Sequence, residues 1–176
     1  HIHIPVLWTH LIPATMEGKA IHNVQNAMFA IAISYSTGMS LDDIRDGLRT
    51  FVTSFYQAPG RMNWFEEHPF RVLMDYAHNP AAIKSVSQMV TNMEFSGKKV
   101  CVIASPGDRR DEDVYEMAKA AAPHYDYFIC KRDDSLRGRA PDEIPVMLKK
   151  ALIEFGVNAN NIETIESEEE AVNKAL

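Results

Sequence analysis

The sequence predicts an α/β domain built on a mostly parallel sheet flanked by helices, with a helical segment in front of it. Three observations carry that expectation. Short apolar runs recur at 70–75, 99–104, 126–131 and 161–165. Stretches of helical period follow them at 80–95, 111–122, 141–155 and from 168 onward. Ahead of residue 60, by contrast, the strong patterns are helical. Strands alternating with helices of this length form βαβ units with right-handed crossovers.

Taken in order, residues 1–13 alternate loosely and carry Pro5 and Pro13, which reads as one or two edge strands. His1, His3 and His10 raise a metal site as an option, and terminal or tag residues as the preferred reading. Residues 18–35 form an amphipathic helix with Val24, Ala27, Met28, Ile31 and Tyr35 on one face. Gly38 stops it, and Ser40 caps a second helix whose apolar positions are Leu41, Ile44 and Leu48. The segment from Tyr56 to Asn63 contains Pro59-Gly60, a turn where the composition shifts, so a domain boundary is placed near residue 60. The 70–80 stretch, Phe-Arg-Val-Leu-Met-Asp-Tyr-Ala-His-Asn-Pro, runs from strand to helix, with Asn79 as N-cap and Pro80 at the first helical position. Ser167 and Glu170 make a capping box for the last helix, and the acidic run 168–170 is its solvated first turn.

Totals narrow the function. The chain has 176 residues, is 46% hydrophobic and 24% charged, and carries a net charge of −6, which speaks against bulk nucleic-acid binding. Cys101 and Cys130 each sit in an apolar strand-like run, as reduced core thiols of a cytoplasmic protein would. No apolar run approaches membrane-spanning length and no signal peptide is recognisable, so no membrane partner is expected. The first residue is not Met and the last falls inside a helix, from which a piece of a longer protein is expected.

Chemistry collects at the carboxyl ends of three successive predicted strands. The first ends in Asp75 to Asn79, the second in Ser105-Pro106-Gly107-Asp108-Arg109-Arg110-Asp111-Glu112-Asp113, and the third in Lys131-Arg132-Asp133-Asp134-Ser135-Leu136-Arg137-Gly138-Arg139. In a parallel sheet these loops share the edge where ligands bind. Near the start of the first helix, Asn23 and Asn26 are three apart, so their amides share a face; they either cap locally or read the edge of an adenine. Arg61 is a lone linker cation, either a surface arginine or a phosphate ligand. The sequence holds no GxxxxGK[ST], GxGxxG or GxSxG motif.

Gly18-Lys19-Ala20-Ile21-His22-Asn23-Val24-Gln25-Asn26-Ala27, then Pro59-Gly60-Arg61-Met62, then Asp75-Tyr76-Ala77-His78-Asn79-Pro80 resemble three ordered signatures of the Mur ligase superfamily. The resemblance covers nearly the whole chain. It implies that residues 1–58 are the tail of a central ATPase domain, 59–67 a linker, and 68–176 a Rossmann-like C-terminal domain truncated at its end. It also implies an ATP-dependent ligase that activates a carboxylate as an acyl phosphate and couples an amino acid to it. Within the superfamily, the loops after the second and third strands look like those of the branch that adds arginine to aspartate side chains of a polymer. The diaminopimelate-adding ligases have Asp-Asn-Pro-Arg where this chain has Ser135-Leu136 ahead of Arg137, which argues against diaminopimelate. Asn63 also stands where many relatives place Glu.

By the same resemblance, Asn23 and Asn26 contact adenine, Arg61 the ATP phosphates and Asp75 the ribose, and His78 lies near the phosphates. Arg137 is the choice for the carboxylate of the incoming amino acid, and Asp108 and Asp134 for its positive end; the alternative is that these charges pair with one another and hold the two loops in register. Most of the site for ATP and Mg is expected upstream, and the chain alone is expected to be inactive. The expected partners are ATP, arginine and an aspartate-rich polymer, with a homo-oligomer left open. Two rivals stand beside this reading: a muramyl or folylpolyglutamate type of ligase, and a non-catalytic α/β binding module.

Overall fold

The computed structural model describes residues 3–176, so the expectation for His1 lies outside the described residues. The chain divides into two compact units, His1–Tyr76 and Ala77–Leu176.

In the first unit, the edge strands expected at the start are replaced by two 3-10 turns, Thr9–Leu11 and Pro13–Thr15. Local hydrogen bonding explains the difference. The buried Thr15 hydroxyl donates towards Thr9 O at 2.6 Å and Ile12 O at 2.8 Å, and accepts from Gly18 N at 3.1 Å. A hydroxyl that satisfies its own turn competes with a strand ladder. Helix α1 is Ile21–Ser36. It begins later than expected because Met16, Glu17 and Gly18 all adopt positive φ. It ends where Gly38, at φ 89°, lets Met39 N reach Ser34 O. Val24, Ala27 and Ile31 are half-buried, whereas Met28 and Tyr35 of the expected face are exposed and no residue of α1 is buried. Helix α2, Leu41–Thr50, has its predicted cap: Ser40 Oγ accepts from Asp43 N. It also has its predicted face, with Ile44 buried between the half-buried Leu41 and Leu48.

Strands β1, Asn63–Phe65, and β2, Val72–Met74, form a separate antiparallel pair with Trp64 opposite Leu73. The 70–75 run is thus a strand, but not a member of the parallel sheet. A connection this short can join only antiparallel neighbours. Asn63 anchors the preceding turn: its buried amide donates to Thr53 O, Ala58 O and Arg61 O, and its Oδ1 accepts from Gly60 N at 2.7 Å.

The second unit carries the parallel sheet. Its elements are α3 (Pro80–Asn92), β3 (Val100–Ile103), α4 (Asp111–Ala121), β4 (Tyr127–Lys131), α5 (Glu143–Glu154), β5 (Ile162–Ile165) and α6 (Glu168–Ala175). Sheet order is β3-β4-β5, with Val102 opposite Ile129 and Cys130 opposite Thr164. The α3 cap is as expected, Asn79 Oδ1 accepting from Ala82 N at 2.9 Å with Pro80 behind it. Ser167 caps α6. Central β4 is buried on both faces: Phe128, Ile129 and Cys130 are all fully enclosed. Val114 and Ala118 of α4 and Leu148 and Leu152 of α5 close over it, each large side chain contributing roughly 1.5–3 kcal/mol by burial. Burial pushes the thiols of Cys101 and Cys130 up to about 12, as inert core groups.

Candidate functional site

The candidate residues fall into two groups. In the first unit, Asn23 Nδ2 donates to Ala14 O at 2.7 Å, fixing the amide plane, and Asn26 Nδ2 donates to Asn23 Oδ1 at 3.2 Å. The two amides therefore stand side by side at the start of α1. Asp75, just after β2, accepts from Met62 N through Oδ2 at 3.0 Å. Met62 is buried in a left-handed conformation, which aims its N–H at that carboxylate. The exposed Arg61 lays its guanidinium over the Tyr76 ring, 5.1 Å from the centroid. Desolvation lowers the His22 pKa, against a smaller upward pull from the Asp75 charge. The Met62 N–H was not chosen from the sequence, because only the folded turn brings it to Asp75. His78 is the second residue of the second unit and is half-buried.

In the second unit the loop after β3 meets the loop after β4. A Cβ built on Gly107 would lie 2.1 Å from Leu136 O, so only glycine allows this crossing. Asp108 pairs with Arg137 across the two loops, and that hydrogen bond holds the Asp108 carboxyl below its usual range. Asp134, the third chosen residue, is exposed, while Asp133 Oδ1 accepts from Ser135 N at 2.9 Å in a local turn. Arg137 has φ 48° and Gly138 φ 94°, a left-handed pair that turns the chain back toward α5. At the crossing lies a shallow depression with an enclosed volume of only about 10 Å³, lined by Ser105, Gly107, Arg132, Asp133, Leu136 and Arg139 among others. Ser105 is fully buried, and Arg109 Nε is a buried donor without an acceptor among the described residues.

The sequence reading passed over Arg139. Its signal was the spacing to Glu143, one helical turn on, which the structure turns into an ion pair. Among the described residues no group of three His, Cys, Asp or Glu side chains could hold a metal ion. Nor is any helix among them long and apolar enough to cross a membrane.

Comparison with known proteins places these loops in a family setting. The family described as Mur ligase, glutamate ligase domain, matches residues 60–176. The chain is 41% identical over 175 residues to the cyanophycin synthetase of Trichormus variabilis, covering 96% of this chain and 19% of that protein. It is 30% identical over 165 residues to the UDP-N-acetylmuramoyl-L-alanyl-D-glutamate--2,6-diaminopimelate ligase of Caldanaerobacter subterraneus, covering 92% of this chain and 32% of that one. Among solved structures, the folylpolyglutamate synthase of Mycobacterium tuberculosis complexed with ADP superposes with a TM-score of 0.58 at 28% identity, over 78% of this chain and 28% of that one.

Proposed function

The chain belongs to the Mur ligase family, and from that premise we propose that it is part of an ATP-dependent ligase that couples arginine to the aspartate side chains of a polymer. The observation that carries the amino-acid half is the Asp108–Arg137 pair across the two loops. An amino acid with a cationic side chain can exchange that pair partner by partner, its carboxylate taking Arg137 and its positive end Asp108 and Asp134. The similarity to cyanophycin synthetases over 96% of the chain supports the same reading.

We place ATP on the first group. ATP supplies the phosphoryl group that activates the acceptor carboxylate, and the amine then attacks the acyl phosphate with loss of phosphate. Asn23 and Asn26 offer the paired donor and acceptor that an adenine edge requires. Asp75, held by Met62 N–H, keeps its second oxygen for a ribose hydroxyl. Arg61 supplies a cation to the phosphates, and His78 stands close in sequence to the same loop. Magnesium and most phosphate contacts belong to residues outside this chain. We carry forward the division into a central-domain tail over 1–58, a linker over 59–67 and a C-terminal domain over 68–176. The 176 residues alone are expected not to turn over ATP, a reading that steady ATP hydrolysis by the purified chain would overturn.

The experiment that tests the proposal is phosphate release by the complete ligase with arginine, diaminopimelate or glutamate as the amine and an aspartate-rich or muramyl peptide as the acceptor. Release that depends on arginine and the aspartate polymer supports it. Release that follows diaminopimelate and the muramyl peptide would replace it with the muramyl reading, which the Caldanaerobacter relative keeps open.

A further inference from the structure

Arg139 is the best-connected side chain at the loop crossing, with only 17% of its side chain exposed. Its Nε donates to Gly107 O at 2.8 Å and its Nη2 to Arg109 O at 2.6 Å. The same Nη2 meets Asp111 Oδ1 at 2.7 Å, and Nη1 meets Glu143 Oε1 at 2.5 Å. The two carbonyls belong to the residues on either side of Asp108, so the guanidinium brackets that carboxylate from the backbone. Its own backbone lies two residues beyond Arg137, and its N–H donates to Leu136 O at 3.0 Å, the carbonyl that crosses Gly107. The guanidinium thus fixes the loop that carries Asp108, and the backbone N–H of the same residue fixes the turn that carries Arg137, with neither touching either charge.

We infer that Arg139 is a positioning residue for the amino-acid pocket: it sets the separation and aim of Asp108 and Arg137 by clamping the Gly107 and Arg109 carbonyls to the start of α5. This inference rests on the reading of Asp108 and Arg137 as the amino-acid site. The clamp depends on fork geometry rather than on charge. A lysine keeps the charge but has no Nε–H and no rigid plane, so it cannot hold two carbonyls and two carboxylates at once.

The test uses Arg139→Lys and Arg139→Gln, two variants so that one failing to fold does not end the experiment. In the complete ligase both raise KM for arginine by about tenfold or more, the loss of at least one charge-assisted hydrogen bond, and leave KM for ATP and the melting temperature nearly unchanged. In the 176-residue chain both speed amide exchange over 107–111 and 134–138. Unchanged exchange overturns the inference, as does faster exchange with an unaltered arginine KM. Arg137→Ala, measured alongside, separates the two levels. If it leaves the arginine KM unaltered, the parent reading fails and the inference falls with it. If it raises that KM and Arg139→Lys does not, the inference alone fails.

Discussion

Helices α1 and α5 are both rich in apolar residues, yet α5 buries Ile144, Pro145, Leu148, Ala151 and Leu152 while α1 buries none. On α1, Met28, Phe29 and Ile33 are each more than 60% exposed, values that belong to a surface rather than a core. The difference is one of partners. Helix α5 lies against α4, β4 and β5, whereas α1 packs on α2 and the turn at Pro13–Thr15. Apolar content makes a helix capable of burial, and a facing sheet completes it. The same contrast separates the candidate sites. The loops proposed for the amino acid, in the second unit, rest on a closed core, and the residues proposed for the nucleotide, in the first, rest on turns pinned by single polar groups such as Thr15 and Asn63.

The largest effect that could break this contrast is a core truncation. Leu148→Ala should cost about 2–5 kcal/mol in chemical denaturation, while Phe29→Ala should stay within about 0.5 kcal/mol. Equal losses would mean that α1 is buried in solution and that the comparison is wrong.

Next come the residues proposed for the nucleotide. In the complete ligase, Asp75→Ala and Arg61→Ala should each lower kcat/KM for ATP by roughly tenfold to a hundredfold, the worth of a charge-assisted hydrogen bond of about 1.5–3 kcal/mol. Unaltered ATP kinetics in both would remove ATP from the first unit.

The loop crossing gives a sharper comparison within the second unit. Gly107→Ala forces a Cβ against the Leu136 carbonyl and should cost about 1–3 kcal/mol. Gly97→Ala meets open space and should be near neutral on the same thermal melt. Similar melting temperatures for the two would show that the crossing is looser than described.

Much of this was legible in the sequence, for reasons that differ by element. The β4 run and the α5 pattern could be read because a fully buried strand needs a continuous apolar run and its covering helix needs a periodic one. Ser40, Asn79 and Ser167 were readable as caps because capping is a local matter. The start of the chain was misread because its alternation was overruled by one hydroxyl, Thr15, whose partners lie three and six residues back. The strand at 72–74 was read, but its antiparallel partner β1 was missed because three residues are too few to show a period. At the site, Asp108 and Arg137 were picked from motif position. Arg139 was not, since nothing local shows which of several nearby arginines reaches back some thirty residues to Gly107.

The smallest expected effect concerns pH. Burial, with Lys99 nearby, lowers the His124 pKa, and its Nδ1 sits 2.7 Å from Thr91 Oγ1. A histidine whose folded pKa lies below its unfolded value of about 6.5 binds fewer protons when folded. Its contribution is therefore full above that value and is lost as pH falls through the folded pKa. His124→Gln should flatten the stability profile below neutrality, and an unchanged slope in denaturant melts across that window would contradict the assignment.

The central claim is a division of labour, with ATP on the first unit and the amino acid on the crossed loops of the second. The measurement that tests it most directly is the pair of KM values, for arginine and for ATP, in Arg137→Ala. The account predicts that KM for arginine rises about tenfold or more, in line with one lost charge-assisted hydrogen bond, with KM for ATP and the melting temperature nearly unchanged. A lower melting temperature with an unaltered arginine KM would contradict it and leave Asp108 and Arg137 as a pair that only holds two loops in register.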